Sequence, residues 1–204
     1  MLTIALPKGR IAEDTLRIFS QIFGREFLFD QRKLILKIGD FVFLLVRNQD
    51  VPTYVSHHSA DLGIVGRDVL EEQRSDVLPL LDLGIGRCKI VVGSEIGKPI
   101  DYGKSQIKIA TKMPHITQEF FSQKAIAVDV VKLYGSIELA PLVGLADGIV
   151  DIVETGLTMQ QNNLEIAEVI MESSVFLVAN KNSFLAKKRA ILSLQEKIKG
   201  QVER

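Results

Sequence analysis

The residues best suited to chemistry lie together at 136–162, S-I-E-L-A-P-L-V-G-L-A-D-G-I-V-D-I-V-E-T-G-L-T-M-Q-Q-N. Within this stretch Glu154-Thr155-Gly156-Leu157-Thr158 combines two hydroxyls, a glycine and a run of backbone amides. It follows Gly148-Ile149-Val150-Asp151-Ile152-Val153, a β-branched run of the kind that forms a buried strand. It precedes Met159-Gln160-Gln161-Asn162, which reads as the first turns of a short helix. A strand, a tight turn and a helix start aim backbone N–H groups at one spot, and the helix dipole favours an anion such as phosphate there. Taken alone, the turn is explained more readily by Thr155 or Thr158 capping the helix. The acids shift that balance. Asp151 and Glu154 would repel a phosphate unless they bind hydroxyls, so a ligand with a phosphate beside a diol, such as a ribose 5-phosphate, uses both features.

A second polar turn, Pro7-Lys8-Gly9-Arg10, follows a short apolar strand at 3–6 and opens a helix at 11–23. Ala12, Leu16, Phe19 and Phe23 recur there at helical spacing, and Gly24 sits where a C-terminal cap belongs. Strand-to-helix turns are where open α/β sheets place ligands. Two solvated surface cations would explain Lys8 and Arg10 equally well. A hairpin is expected at 34–38 and 41–46 around Gly39-Asp40, with Arg32 just before it and Arg47 just after.

The elements that must position these residues alternate. Pro52 opens a short helix to about Ser59, 61–66 is a buried strand ending in glycine, Asp68 begins a helix, and 78–83 is a strand. Gly84-Ile85-Gly86 lacks the third glycine of a dinucleotide fingerprint and runs into a strand at 89–93, so a Rossmann cofactor site is rejected; no P-loop occurs either. The polar stretch 97–105 marks an insertion. The pattern then restarts with strand 107–111, a helix from about His115 to Gln123, strand 128–133, a turn at 134–136, a helix and the central strand. That alternation argues for a second small α/β domain. Strands at 165–171 and 175–179 lead back to the first, and Ser183 caps a final helix. Phe184, Ile191, Leu194 and Ile198 form its stripe, Gly200 its end, and Lys181, Lys187, Lys188, Arg189, Lys197 and Lys199 its solvated face. The fold expected is two small α/β lobes with a cleft between them, similar to type II periplasmic binding proteins. Lobe I takes 1–88 with 172–204, and lobe II takes 89–171.

Composition removes several classes of function. Lys+Arg and Asp+Glu are both 25, so net charge is zero and no basic face for nucleic acid is implied. Hydrophobic residues make up 47% of the chain, enough for a core, yet no apolar run approaches membrane-spanning length. The single cysteine, Cys88, fits a reducing compartment, and the N-terminus shows no signal-peptide pattern. A cytoplasmic protein is expected. His57, His58 and His115 have no partners at metal-ligand spacing, so no protein-held metal is expected; separately, no G-x-S-x-G elbow marks a serine nucleophile. Glu138 and Asp147 read equally as surface or capping acids; Glu138 gains weight from lying two residues beyond Ser136, at a turn feeding the same region.

The spacing Glu138-x5-Gly144-x-Ala146-x2-Ile149-x-Asp151-Ile152-x2-Thr155-Gly156-x-Thr158-Met159 resembles the signature of the ATP phosphoribosyltransferase family, which opens histidine biosynthesis. P-K-G-R at 7–10, R-x2-D-V-P-x-Y-V at 47–55 and D-L-G-I-V-G-x-D at 61–68 resemble the family as well. The resemblance runs from Leu6 to about Asn180. It implies that N1 of ATP attacks C1 of phosphoribosyl pyrophosphate, with inversion and loss of pyrophosphate. That nitrogen is unprotonated at neutral pH, so the protein is left to orient two polyphosphates and stabilise the leaving charge. The ribosyl centre should pass through an oxocarbenium-like state, and Mg²⁺ should be held largely by substrate oxygens and water.

By the same resemblance Lys8, Arg10 and Arg32 are the catalytic candidates, set at the leaving pyrophosphate with Gly9 in their turn. Asp151, Glu154, Thr155, Gly156, Leu157 and Thr158 should hold the ribose 5-phosphate, and Ser136 and Glu138 are candidates for the adenine. The chain looks like the family's short form, without the long form's C-terminal regulatory domain. That form implies a regulatory subunit resembling histidyl-tRNA synthetase and a homodimer within a hetero-oligomer. The alternative is a cytoplasmic solute-binding or sensor module, since fold alone does not separate the two.

Overall fold

The computed structural model describes residues 1–30 and 32–202. The chain divides into two compact units, Met1–Gly86 with Ser174–Arg204 and Arg87–Ser173. The first unit begins with β1 (Leu2–Pro7), α1 (Arg10–Phe23), β2 (Ile35–Ile38), β3 (Phe41–Val46), a 3-10 turn (Asn48–Asp50), α2 (Val51–Ser56), β4 (Leu62–Gly66), α3 (Arg67–Gln73) and β5 (Leu78–Asp82). The second holds β6 (Cys88–Glu95), β7 (Ile107–Thr111), α4 (Pro114–Gln123), β8 (Val128–Lys132), α5 (Leu139–Leu142), β9 (Gly148–Val153), α6 (Leu157–Gln161) and β10 (Leu164–Ser173). The chain returns to the first unit with β11 (Val175–Ala179), α7 (Lys181–Ala186) and α8 (Lys188–Val202).

In the first unit six strands are ordered β2-β3-β1-β4-β11-β5, with β1 parallel to β3 and β4. Its apolar strands are covered by α1, whose buried face is Ala12, Thr15, Leu16 and Phe19. Phe19 is fully buried and meets Phe43 edge-on, with ring centroids 5.1 Å apart. Gly24 closes α1 in the left-handed conformation at φ 60°, as its position after the apolar stripe leads one to expect. In the second unit the order is β10-β6-β9-β7-β8, which puts β9 in the middle of five strands. β7 is parallel to both β8 and β9, so the C-terminal ends of these three strands share one edge.

The end of the chain departs from expectation. Two helices stand in place of one, broken at Lys187, and the cap is Asn180 rather than Ser183. The Asn180 side chain accepts from Asn182 N at 3.0 Å and Ser183 N at 2.9 Å, so Ser183 already lies inside the first turn. Gly200 does not end α8 but sits within it, where a single glycine is tolerated at a cost of about 1 kcal/mol. Lys187 is no mere member of a solvated face: its Nζ lies 2.8 Å from both carboxylate oxygens of Asp61. Asp147 likewise is more than a surface acid. It accepts from Lys104 Nζ at 2.6 Å and Lys108 N at 2.8 Å, tying the 97–105 stretch to the sheet.

Candidate functional site

Along the shared edge of the second unit lies a pocket of about 410 Å³, lined among others by Glu138, Asp151, Glu154, Thr155, Gly156 and Thr158. Each is delivered by a local feature of the chain. β9 is buried at Gly148–Val150 and emerges at Asp151, so the strand carries this carboxylate to the rim. Gly156 then takes φ 82° and ψ −7°, a left-handed turn that a β-branched residue would resist, and α6 starts at once behind it. Met159 anchors that helix against β6. A Cβ built on Gly93 would lie 2.1 Å from Met159 Cε, so the bare glycine makes the room in which α6 docks.

No side-chain hydrogen bond caps α6. Thr155 Oγ1 is 3.5 Å from Leu157 N, at the outer limit for a hydrogen bond, and Gly156 occupies the cap position. The plain capping role for Thr155 or Thr158 is therefore not what the turn does. Glu138 stands at the cap position of α5, also makes no side-chain cap bond, and lines the pocket. Ser136 holds φ 49° in the turn before it and is exposed, outside the lining residues; Leu157 is exposed beside them.

The pocket contains a cation not singled out from the sequence. Lys112 follows β7 directly, and its Nζ lies 3.0 Å from Asp151 Oδ1. The sequence offers one signal, its place directly after a strand; the pairing of β7 with β9, which brings it to Asp151, is not legible there.

The remaining candidates belong to the first unit. Lys8, Gly9 and Arg10 are exposed on the turn between β1 and α1, with Gly9 at φ 98° and Lys8 N bonded to Val46 O at 2.9 Å. Arg32 is exposed at φ 65° shortly before β2; its neighbour Gln31 lies outside the described residues. The ends of β1 and β3 and the start of β2 share one edge of the sheet, so Arg32 and the Lys8–Arg10 turn lie at that same edge.

The family model described as ATP phosphoribosyltransferase matches residues 47–200. The ATP phosphoribosyltransferase of Helicobacter hepaticus is 64% identical over 203 residues, covering 100% of this chain and 99% of the relative. That of Wolinella succinogenes is 69% identical over 195 residues, covering 96% and 95%. The chain belongs to the ATP phosphoribosyltransferase family. The ATP phosphoribosyl transferase (HisG:HisZ) complex from Thermotoga maritima contains a chain with TM-score 0.88 and 35% identity, matched over 100% of this chain and 99% of that one. The periplasmic aliphatic sulphonate binding protein SsuA of Escherichia coli shares the fold alone, at TM-score 0.63 and 12% identity over 98% of this chain and 72% of its own. The type II periplasmic-binding-protein-like α/β fold expected from the sequence is the one found. The family's signature residues Glu138, Asp151, Thr155, Gly156, Thr158 and Met159, spread along the sequence, line one pocket.

Proposed function

We propose that this pocket holds the ribose 5-phosphate of phosphoribosyl pyrophosphate while the chain performs the reaction of its family. The chain transfers the 5-phosphoribosyl group to N1 of ATP, releasing pyrophosphate, as the first step of histidine biosynthesis. The observation that carries the site assignment is the convergence of signature residues around the uncapped start of α6. Amides of that turn and the hydroxyls of Thr155 and Thr158 take the phosphate; Asp151 and Glu154 take ribose hydroxyls. Ser136 and Glu138 contribute to the adenine side.

Lys8, Arg10 and Arg32 neutralise the departing pyrophosphate, where charge develops most in the transition state. Gly9, with no Cβ, lets a phosphate approach the backbone of their turn. Magnesium arrives with the substrate, coordinated by pyrophosphate oxygens and water. Among the described residues no three His, Cys, Asp or Glu side chains are grouped to hold a metal ion. A cytoplasmic location is part of the proposal, supported by the family's biosynthetic role; among the described residues no helix is long and apolar enough to cross a membrane. A regulatory subunit resembling histidyl-tRNA synthetase and a homodimer within a hetero-oligomer complete the proposal. Its support is the likeness to a chain of the Thermotoga complex.

The test is pyrophosphate release from a mixture of the chain, the synthetase-like subunit, ATP, phosphoribosyl pyrophosphate and Mg²⁺. Release that requires both substrates is expected. Tight binding of one ligand with no turnover would instead support a binding module, which otherwise rests only on distant fold neighbours.

A further inference from the structure

Three carboxylates, Glu138, Asp151 and Glu154, line the pocket, and Lys112 is the single cation among its lining residues. Such a lining would repel a phosphate unless at least one acid were held in a neutralising contact. Lys112 Nζ lies 3.0 Å from Asp151 Oδ1, and the same oxygen accepts from Ile152 N at 2.8 Å. Oδ1 is thus engaged twice, whereas Oδ2 forms no hydrogen bond among the described residues. A carboxylate fixed through one oxygen presents the other in a defined direction.

The lysine itself stands on fixed backbone. The buried hydroxyl of Thr111 donates to Val150 O at 2.8 Å and accepts from Met113 N at 2.9 Å, bracketing Lys112 between two pinned residues. Its side chain is 34% exposed and that of Asp151 22%, so the pair is partly shielded from water yet open to a ligand.

We propose that Lys112 is a substrate-positioning residue: it neutralises Asp151 and pins its Oδ1 so that Oδ2 meets the hydroxyls of the phosphoribosyl donor. The inference rests on the assignment of this pocket to the ribose 5-phosphate. Its consequence is a role in donor affinity rather than in the chemical step.

Steady-state kinetics of the full chain, with the regulatory subunit present, separates the possibilities. Lys112→Met is expected to raise the KM for phosphoribosyl pyrophosphate roughly tenfold, while kcat and the KM for ATP stay within about twofold. Lys112→Arg should recover most of the loss, and Lys112→Gln provides the same comparison if the Met variant folds poorly. Because Lys112 acts through Asp151, the Lys112→Met, Asp151→Asn double variant should be little worse than Asp151→Asn alone. An unchanged donor KM in Lys112→Met and Lys112→Gln, or fully additive effects in the double variant, overturns the inference. If Asp151→Asn itself leaves the donor KM unchanged, the ribose assignment fails and this role falls with it. A normal Asp151→Asn defect beside silent Lys112 variants removes the Lys112 role only.

Discussion

At the scale of single residues, a phosphate turn and a cap use the same amino acids, and conformation separates them. Gly156 at φ 82° occupies the cap position, and the threonine hydroxyls on either side remain available to a ligand. Thr158→Val removes one hydrogen bond to a charged group and should weaken donor binding by about 1.5–3 kcal/mol. Gly156→Val strains the turn and narrows the approach to its amides, so its loss should be at least as large. Titration calorimetry with phosphoribosyl pyrophosphate checks both, and wild-type-like affinity in the pair would remove the phosphate from this turn. On the proposed assignment Arg32 makes a different kind of contribution. A group that meets charge formed in the transition state affects turnover more than ground-state binding. Arg32→Ala should therefore lower kcat by roughly ten- to a hundredfold with the KM for ATP little changed. A variant with intact kcat and altered ATP KM would place Arg32 elsewhere.

At the scale of elements, the last helices are held to the first sheet by a pair distant in sequence. Asp61 lies just before β4 and takes Lys187 Nζ, Thr3 N and the Ser183 side chain, with Lys187 at the break between α7 and α8. Burial by itself would raise the Asp61 pKa, but the hydrogen bonds from Lys187, Thr3 and Ser183 outweigh it and hold the carboxyl below its ordinary 3.8. A depressed pKa means that this stabilisation is present above the ordinary value and is lost as pH falls through the folded one. Asp61→Asn should cost about 1–3 kcal/mol near neutrality, the lower part of the range for such a pair because Lys187 is half exposed. The gap in Tm between wild type and variant should close as pH drops below about 4. Thermal melts across that window test it; a gap that persists at low pH would show that Asp61 stabilises through packing rather than charge.

At the scale of the whole molecule, one fold serves both this family and solute-binding proteins only 12% identical in sequence, so the fold does not decide the activity. What distinguishes this chain is the set of groups placed on its strand ends. Control by a second protein is proposed on the likeness to a chain of the Thermotoga complex. A partner raises activity when it binds the competent arrangement of the catalytic chain better than the others. The isolated chain should then be weakly active and insensitive to histidine, and the synthetase-like subunit should bring both activity and histidine inhibition. Calorimetry of histidine with the chain alone decides the point, because tight inhibitory binding without a partner would end this reading.

Alternation of strands and helices, the left-handed glycine after α1, and the strand–turn–helix around Gly156 were all determined by the sequence, because hydrophobic period and turn chemistry act over a few residues. The same short range made Asp151, Glu154, Thr155 and Thr158 legible as one group, since a single strand and its turn carry them. Tertiary structure decided the rest. Sheet order sets β7 beside β9 and so puts Lys112 on Asp151; bare Gly93 of β6 admits Met159 of α6; Lys187 leaves its cationic run for Asp61. At the end of the chain the local signal pointed to Ser183 as the cap, and tertiary structure moved it to Asn180: β11 ends at Ala179, and Asn180 N bonds to Asp61 O at 2.9 Å. Contacts of this kind join residues whose separation along the chain says nothing of their distance, because strand pairing, not periodicity, brings them together.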